Sequence, residues 1–263
     1  MENFKTLIKK LPPLNMLIQE RDQAISEKGL LIRERAKLIE ERDRLLSDSQ
    51  DFFLRDAKAI IHIGANLGQE RELYAQHNLD VLWIEPIPNI YSQLQENLKD
   101  YPKQQALKYL LTDVDDKEYD FHIANNTGAS SSIFNLAKHQ EIWPEINYVD
   151  SIHLNSITFA TLIEKEHIEL SRYDSLVIDT QGSELLVFKG AGNLIMNFRF
   201  IKTEAADFEV YEGCCTLDDL ENYLKPFGFT EVSKKRFATK CDVGNCYDVI
   251  FERMSNPASN RQI

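Results

Sequence analysis

Residues 57–70 read AKAIIHIGANLGQE, and this stretch decides how the rest of the chain is interpreted. Its apolar first half predicts a buried strand, and the residues after Gly68 have helical spacing. The chain has 10 glycines in 263 residues, yet Gly64 and Gly68 stand only four positions apart at this junction. Glycine there either permits a tight turn or leaves room for a ligand against bare backbone. The stretch therefore predicts a strand-to-helix turn that is a candidate ligand site.

The bulk composition limits the classes of function. With 43% hydrophobic residues, the 263-residue chain can form one sizeable domain and something smaller. The net charge of -12 argues against a broad phosphate-binding surface, so nucleic acid is not an expected partner. No stretch resembles a signal peptide or reaches the length of a transmembrane segment, which predicts a cytoplasmic protein.

The four cysteines do not have the spacing of a zinc ribbon or finger. They are Cys214, Cys215, Cys241 and Cys246. Free thiols are expected, and a four-thiolate metal site is the alternative, because two separated pairs can meet in space. We therefore predict no metal site.

A seven-residue repeat marks the N-terminal segment. Over residues 17–46, apolar pairs recur every seven positions, with Glu and Arg or Lys at fixed offsets. The repeat predicts a long helix, but its apolar positions are neighbours and not spaced as in a coiled-coil seam, so the contact surface is thin. A homo-oligomer through residues 17–46 and a solvated spacer helix both fit this pattern. The predicted domains are a heptad-repeat helix over residues 1–50 and an α/β domain over residues 51–263.

Strand-like and helix-like segments alternate after residue 51. The predicted strands are Ala59–Gly64, Asp80–Glu85, Ala106–Asp113, Tyr119–Ala124, Ser175–Asp179, Phe198–Glu204, Arg236–Lys240 and Tyr247–Arg253. The predicted helices are Gln69–His77, Ile90–Leu98, Leu185–Met196, interrupted at Gly190 and Gly192, and Leu217–Leu224. Continuous apolar strands are typical of a parallel sheet covered on both faces. The pattern predicts a doubly wound, mostly parallel α/β fold with a C-terminal antiparallel hairpin.

A carboxylate at the end of the second strand narrows the choice of ligand. Glu85 follows Gly64 by 21 residues and precedes Pro86. At that spacing it can accept two hydrogen bonds from a ribose diol, as in adenosine-type cofactors. The dinucleotide fingerprint needs a third glycine that makes room for a pyrophosphate, and this loop lacks it. S-adenosylmethionine carries no phosphate and therefore fits the loop better.

The chain from about residue 58 to 253 also contains six blocks that match one family in order. They read IHIGANLGQE, WIEPIPNIYSQLQENL, LLTDVDD with NNTGASSSIF, NSITFATLIE, SLVIDTQGSELLVFKGA, and FIKTEAADFEVYEG with CYDVIFER. In these blocks the chain resembles the FkbM-type family of class I methyltransferases. The resemblance implies a Rossmann-like fold, S-adenosylmethionine as the methyl donor, and transfer to a hydroxyl oxygen, often on a sugar or a secondary metabolite.

The resemblance also implies roles for individual residues. Gly64, Asn66 and Gly68 would frame the methionine part of the cofactor, and Glu85 would take the ribose hydroxyls. Asp113 would neighbour the adenine amino group, whose N–H groups a carboxylate accepts.

Two positions depart from the family pattern. His62, which we count with the cofactor-binding residues, stands where the family usually has an acid, so charge pairing with the cofactor's ammonium is weakened. Gln181 replaces a more common acid, which argues against a three-carboxylate metal site.

Three residues are candidates for the catalytic group. A sulfonium already activates the methyl carbon, so one base near it suffices. Asp179 and Glu204 each end a predicted strand, and Asp179 is favoured because burial can raise the pKa of its carboxyl. Its alternative role is to cap the turn that follows. His122 lies in a predicted strand and could face an acceptor, although a lone histidine is more often structural.

The sequence leaves two other functions open. A nicotinamide-dependent oxidoreductase would also place Glu85 on a ribose, although the missing glycine argues against it. A non-catalytic cofactor-binding module, whose helix forms oligomers, is the second alternative. The leading interpretation is an S-adenosylmethionine-dependent O-methyltransferase whose acceptor is a glycan or a small molecule.

Overall fold

The computed structural model describes residues 16, 21, 23, 25–35, 37 and 51–254. The chain divides into two compact units, Met1–Ser49 and Gln50–Ile263. The described residues of the first unit are helical, with a continuous run over 25–35. Most of the helix predicted over 17–46 lies outside the described residues, so the long helix and its oligomeric contact stay predictions. Within the described ranges, no helix combines the length and apolar character that crossing a bilayer requires.

Strands and helices alternate through residues 51–254 of the second unit. The strands are β1 (Ala59–Ile63), β2 (Asp80–Ile84), β3 (Gln104–Leu107), β4 (Leu110–Thr112), β5 (Glu118–Ala124), β6 (Tyr148–Thr158), β7 (Ser175–Ile178), β8 (Phe200–Ala206), β9 (Phe229–Lys240) and β10 (Gly244–Arg253). The α-helices are α1 (Arg71–Gln76), α2 (Pro88–Asn97), α3 (His139–Ile142), α4 (Phe159–Lys165), α5 (Glu184–Ala191) and α6 (Leu217–Leu224). Short 3-10 helices cover Phe52–Arg55, Leu170–Arg172, Gly192–Asn197 and Lys225–Phe227.

A seven-stranded sheet with the order β3-β2-β1-β7-β8-β10-β9 forms the centre of this unit. β1 pairs in parallel with both β2 and β7, and β7 pairs in parallel with β8. The winding reverses between β1 and β7, which places a crevice beyond the carboxyl ends of these strands. β10 enters antiparallel between β8 and β9. This arrangement confirms the predicted Rossmann-like, mostly parallel sheet with a C-terminal antiparallel hairpin.

The burial of β1 explains why the sheet forms around it. All five residues of β1 are buried. Ile61 and Ile63 belong to the larger core cluster, whereas Ile60 belongs to a second cluster that also contains Val81 and Trp83. A strand that is apolar on both faces needs cover on both sides, and burying each such side chain contributes roughly 1.5–3 kcal/mol. The central strands therefore stay fixed while the loops at their ends carry the polar residues.

A second, three-stranded sheet has the order β4-β6-β5 and corrects part of the prediction. The single strand predicted over Ala106–Asp113 is wrong, because β3 joins the main sheet while β4 pairs in parallel with β6. β6 and α4 were not predicted. Most residues of β6 are exposed or half-buried, so it has no continuous apolar run to mark it.

Two glycines near the end of α5 behave differently. Gly190 was predicted to interrupt the helix but lies inside it. The residue is glycine because a Cβ there would overlap the carbonyl oxygen of Thr112. Glycine at this position lets α5 pack directly against the end of β4. Gly192 has a φ of 53° and ends the helix, as predicted.

Candidate active site

The Gly64 turn has its shape because two strands approach each other there. Gly64 has a φ of 82°, and a Cβ on it would overlap the carbonyl oxygen of Asp179 at the end of β7. Its amide and that of Ala65 both donate to the carbonyl of Ile84, at 2.9 and 3.1 Å. The glycine is therefore required by the neighbouring strand, and the turn it forms also lines a cavity.

Gly68, the second glycine of the pair, lies against the helix α2. It also has a left-handed φ, 69°, and a Cβ there would lie 2.7 Å from the side chain of Leu94 in α2. Gly68 is buried and is not among the described residues that line the cavity. Its small size is needed for the packing of α2, and its place beside the cofactor stays a prediction.

Asn66 and Glu85 hold the loop against the end of β2. The Asn66 amide donates to Glu85 Oε2 at 2.9 Å, and the Ile87 amide donates to Oε1 at 2.8 Å. The Asn66 side-chain amide donates to the carbonyl of Thr127 at 3.1 Å. A carboxylate offers about four lone-pair positions, so each Glu85 oxygen keeps about one free.

Glu85 lines the cavity although its side chain is only 4% exposed. Burial raises the pKa of the Glu85 carboxyl to about 7, and the two backbone N–H groups oppose this shift. Additional hydrogen-bond donors would favour the ionised form. The site is therefore suited to a ligand that brings two hydroxyl groups.

His62 is buried on the face of β1 that carries Ile60 and packs in the second core cluster. It also borders the first cavity. It stacks on Trp83 with ring centroids 4.7 Å apart, and its Nδ1 lies 3.2 Å from the Tyr74 hydroxyl. Burial, assisted by the charge of Lys202, lowers the pKa of His62 to about 3, so the ring is neutral. His62 can contribute surface and a hydrogen bond but no charge.

Glu70 is a cavity residue that the sequence analysis missed. It directly precedes α1, and burial raises the pKa of its carboxyl. The signal in the sequence is an acid two residues beyond Gly68, at the start of the helix that follows the loop. Glu70 places at the cavity a carboxyl group that the neutral His62 cannot replace.

The first cavity is an open crevice over the carboxyl ends of β1, β2 and β7, with about 770 Å³ of empty space that includes its open mouth. Its remaining walls are largely apolar and come from Ile84, Ile87, Leu110, Leu111 and Phe121. The cavity can thus hold a ligand with one apolar part and one polar part.

Asp179 directly follows β7 and lines this cavity and a second one. Burial, together with the nearby Glu184 carboxylate, raises the pKa of Asp179 to about 7. The Gln181 side-chain amide donates to Asp179 Oδ1, and the Tyr211 hydroxyl donates to Gln181 Oε1 at 2.6 Å. This chain of hydrogen bonds fixes the orientation of the Asp179 carboxyl.

Glu204 on β8 lies in the second cavity beside Asp179. The Asp179 carboxylate, more than burial, raises the pKa of Glu204 well above its usual range. Glu184 has a different position, since it accepts hydrogen bonds from the amides of Thr180 at 2.9 Å and Gly182 at 3.1 Å. Three acids therefore border the second cavity, and one of them, Glu184, also holds the turn that follows Asp179.

Asp113 and His122 lie apart from both cavities. Asp113 is exposed, follows β4, and is not among the described lining residues of either cavity. His122 on β5 stacks on Tyr148 at 4.8 Å and exchanges two backbone hydrogen bonds with Ser132. The Ser132 hydroxyl in turn donates to the carbonyl of Gln181 at 2.8 Å. The small sheet is thus linked to the turn after Asp179 by Ser132, which pairs with the backbone of His122, and the His122 side chain takes no part in this link.

The second cavity has a volume of about 460 Å³ and shares Asp179 and Gln181 with the first. Its other lining residues are His139, Trp143, Gly182, Glu184, Glu204, Ala205, Ala206, Val210, Tyr211, Cys214, Cys215, Phe237 and Cys246.

All four cysteines are free thiols. Across the described ranges, no group of three or more His, Cys, Asp or Glu side chains is arranged to hold a metal ion.

Taken together, the switch-point crevice, the glycine turn and the buried Glu85 define a Rossmann-like enzyme of the nucleoside-cofactor class. The chain belongs to the FkbM methyltransferase domain family, whose model matches residues 62–231. The resemblance seen in the sequence blocks is therefore confirmed, and the protein is an S-adenosylmethionine-dependent methyltransferase. This assignment decides against the nicotinamide-dependent oxidoreductase.

The chain is also similar to individual proteins, at 25% sequence identity or less. The 2-O-methyltransferase NoeI of Sinorhizobium fredii (strain NBRC 101917 / NGR234) is 25% identical over 176 residues, which cover 64% of this chain and 71% of that protein. The solved structure of Streptococcus pneumoniae Sp1610, a putative tRNA (m1A22) methyltransferase in complex with S-adenosyl-L-methionine, has a TM-score of 0.43 at 12% identity and covers 83% of this chain and 76% of that chain. Magnesium protoporphyrin IX methyltransferase from Synechocystis PCC 6803 with bound SAH has a TM-score of 0.44 at 9% identity, covering 81% and 84%.

Proposed function

We propose that this protein transfers a methyl group to a hydroxyl oxygen on a sugar, a polysaccharide or a small natural product. The observation that carries the proposal is the position of Asp179, whose carboxyl lines both cavities and has a pKa near neutrality. One cavity is suited to the cofactor, and the other is open to an acceptor. The name of the relative NoeI, a 2-O-methyltransferase, supports transfer to oxygen.

The first cavity fits S-adenosylmethionine on three counts. Glu85 keeps about one free lone pair on each oxygen, which matches the two hydroxyls of a ribose. The turn from Gly64 to Asn66 borders the place for the methionine part, and Glu70 provides a carboxylate for its ammonium. The apolar residues Leu110 and Leu111 offer a wall for the base. In this proposal Glu70 replaces the acid that is absent at His62.

The chemistry then needs little beyond positioning and one base. When bound, the cofactor supplies a methyl carbon that its sulfonium has activated. Asp179 accepts the proton of the acceptor hydroxyl as the new O–C bond forms and the S–C bond breaks. A carboxylate with a pKa of about 7 is a stronger base than an ordinary aspartate and is still largely ionised slightly above neutral pH. Gln181 and Tyr211 orient this carboxyl and are positioning residues.

Glu204 has the complementary role. The Asp179 carboxylate raises the pKa of Glu204 well above its usual range, which favours the protonated form of Glu204 beside it. A protonated carboxyl can donate a hydrogen bond to the acceptor, and the pair titrates as a unit. His122 has no part in this proposal, since neither cavity is lined by it.

The two-unit division of the chain supports a separate role for the N-terminal segment. In this proposal residues 51–263 carry the methyltransferase, and residues 1–50 join copies of the chain. Light scattering on the full chain, compared with a variant carrying Glu at Leu31 and Leu38, tests the second part. An unchanged molar mass would show that the segment is a spacer.

Calorimetric titration of S-adenosylmethionine into the Glu85→Ala variant tests the cofactor site. The variant loses two charge-assisted hydrogen bonds and is expected to bind about 2–3 kcal/mol more weakly than the wild type. The matched control is Glu96→Ala, which removes an exposed carboxylate from the neighbouring α2 and should leave affinity unchanged. An unchanged affinity in Glu85→Ala would remove the ribose assignment.

A further inference from the structure

The second cavity has an aromatic wall assembled from distant parts of the chain. His139 packs against Trp143 and Tyr211, with ring centroids 4.7 and 5.2 Å apart. Phe237 borders the same cavity from β9 and is 44% exposed. Trp143 is half-buried, so part of its ring faces open space. Such a wall presents a flat apolar surface to a ligand ring.

Polar groups stand beside this wall, and one of them is unpartnered. The Nδ1 atom of His139 is buried without a hydrogen-bond partner among the described residues, and the side chain is only 3% exposed. Burial lowers the pKa of His139 to about 4, so the ring is neutral. Buried polar atoms almost always have partners, and an exception requires an explanation. A hydroxyl of a bound ligand would provide the missing partner.

The charges around the cavity select against anions. Asp179, Glu184 and Glu204 all border it, and the described lining residues include neither Lys nor Arg. A carboxylate or phosphate on the ligand would lie next to the ionised members of this group of acids. Juxtaposed like charges repel, so an anionic ligand is disfavoured.

We propose that the second cavity is the acceptor subsite and that it takes a neutral sugar ring. The apolar face of the ring lies on Trp143, other hydroxyls meet Gln181 and His139, and one hydroxyl reaches Asp179. This inference rests on the proposed O-methyl transfer and adds to it the class of acceptor. It also makes Trp143 and His139 the residues that determine acceptor specificity.

Tryptophan fluorescence can test the proposal, because the chain has two tryptophans. Trp83 is fully buried behind His62, and Trp143 lines the second cavity. Full-length protein is first saturated with S-adenosylhomocysteine and then titrated with methyl glycosides of neutral hexoses. A saturable emission change is expected in the wild type. Methyl glucuronide, the anionic comparison, should bind at least about tenfold more weakly.

Three variants locate the response. In Trp143→Phe the fluorescence change should disappear, while calorimetry still gives an affinity within about threefold of the wild type, because an aromatic ring remains. Trp143→Ala should weaken glycoside binding by about tenfold or more. His139→Phe keeps the ring stack but removes both nitrogens and should weaken binding by about tenfold. Affinity for S-adenosylhomocysteine should be unchanged in all three, which also shows that they fold.

Several outcomes would overturn the proposal. They are a glycoside response that survives in Trp143→Phe, a glucuronide or a simple phenol that binds as tightly as the neutral glycosides, and no saturable response to any neutral glycoside on the cofactor-bound protein. Failure of S-adenosylhomocysteine itself to bind would be a different result, because it would contradict the cofactor site on which the proposed function depends.

Discussion

The two cavities on either side of Asp179 are built in different ways. The first takes half of its lining residues from the chain around β1 and from the residues that end β2, and Glu85 holds these two segments together through backbone amides. The second combines His139 and Trp143 with Tyr211 and with Phe237, which lie far apart in the chain. The contrast teaches that the proposed cofactor site depends on backbone geometry fixed by the central strands, while the proposed acceptor site depends on side chains from separate segments of the chain.

The largest expected effect falls on Asp179, one of the two residues that both cavities share. Asp179→Asn keeps the shape of the side chain and the hydrogen-bonding reach toward Gln181 but removes the base. Turnover with an identified acceptor should fall by about 10²–10⁴-fold, while calorimetry gives a cofactor affinity within about twofold of the wild type. Retained turnover would move the base to Glu204.

A second prediction concerns the backbone that forms the cofactor half. Gly64→Ala forces a Cβ against the Asp179 carbonyl at a left-handed φ and should lower the free energy of unfolding by about 3 kcal/mol or more. Gly213→Ala is the matched control, because Gly213 has a similar φ of 75° and nothing within 4 Å of the added atom. It should cost only about 1–2 kcal/mol. Equal losses in urea unfolding would show that the close approach of β7 is not the reason for glycine.

The third prediction concerns the pH dependence of cofactor binding at Glu85. The pKa of Glu85 is raised to about 7, and ribose hydroxyls would favour its ionised form, so cofactor affinity should fall as pH decreases through 7. Calorimetry should show binding about tenfold weaker at pH 6 than at pH 8, because Glu85 must give up its proton to bind.

Glu85→Gln provides the control for this pH dependence. Burial also raises the pKa of Glu70, so Glu70 acts in the same direction and should leave a shallower dependence in the variant. An identical slope in Glu85→Gln and the wild type would contradict the role of Glu85.

The smallest effect is expected at Asp113, where the family resemblance and the structure lead to different expectations. The resemblance places Asp113 on the adenine, but the residue is exposed and does not line the first cavity. Asp113→Ala should therefore change cofactor affinity by less than about twofold, a change smaller than one net hydrogen bond is worth. A loss of tenfold or more in the same calorimetric assay would restore the adenine contact.

Much of the fold and half of the site could be predicted from the sequence, for physical reasons. Continuous apolar runs such as β1 mark central parallel strands, and Glu85 stands out as an acid at the end of one. β6 escaped prediction because it is mostly exposed, and its partners β4 and β5 lie on either side of it. Long-range pairing of this kind leaves no local periodicity.

The same limit applies to single residues. The pattern drew attention to Gly68, but only the neighbouring Leu94 shows that this glycine serves packing. The sequence drew attention to Gln181 only for the acid that it replaces. In the structure it hydrogen-bonds to Asp179 and to Tyr211, and the second contact joins residues 30 positions apart, which no local pattern reveals. Burial, which shifts the pKa of Asp179, is likewise a property of the assembled fold.

Ser132, which pairs with β5 through His122, donates a hydrogen bond to the carbonyl of Gln181 and so links the small sheet to the turn after the proposed base, Asp179. Gln181 itself holds a φ of 53°, which a non-glycine residue adopts only when its surroundings enforce it. An engineer who exchanged the segment from β5 to β6 with that of a relative, in order to change the acceptor, would also loosen this support. Altered selectivity and slower chemistry would then arrive together, unless a serine at the equivalent of position 132 were kept in the transplant.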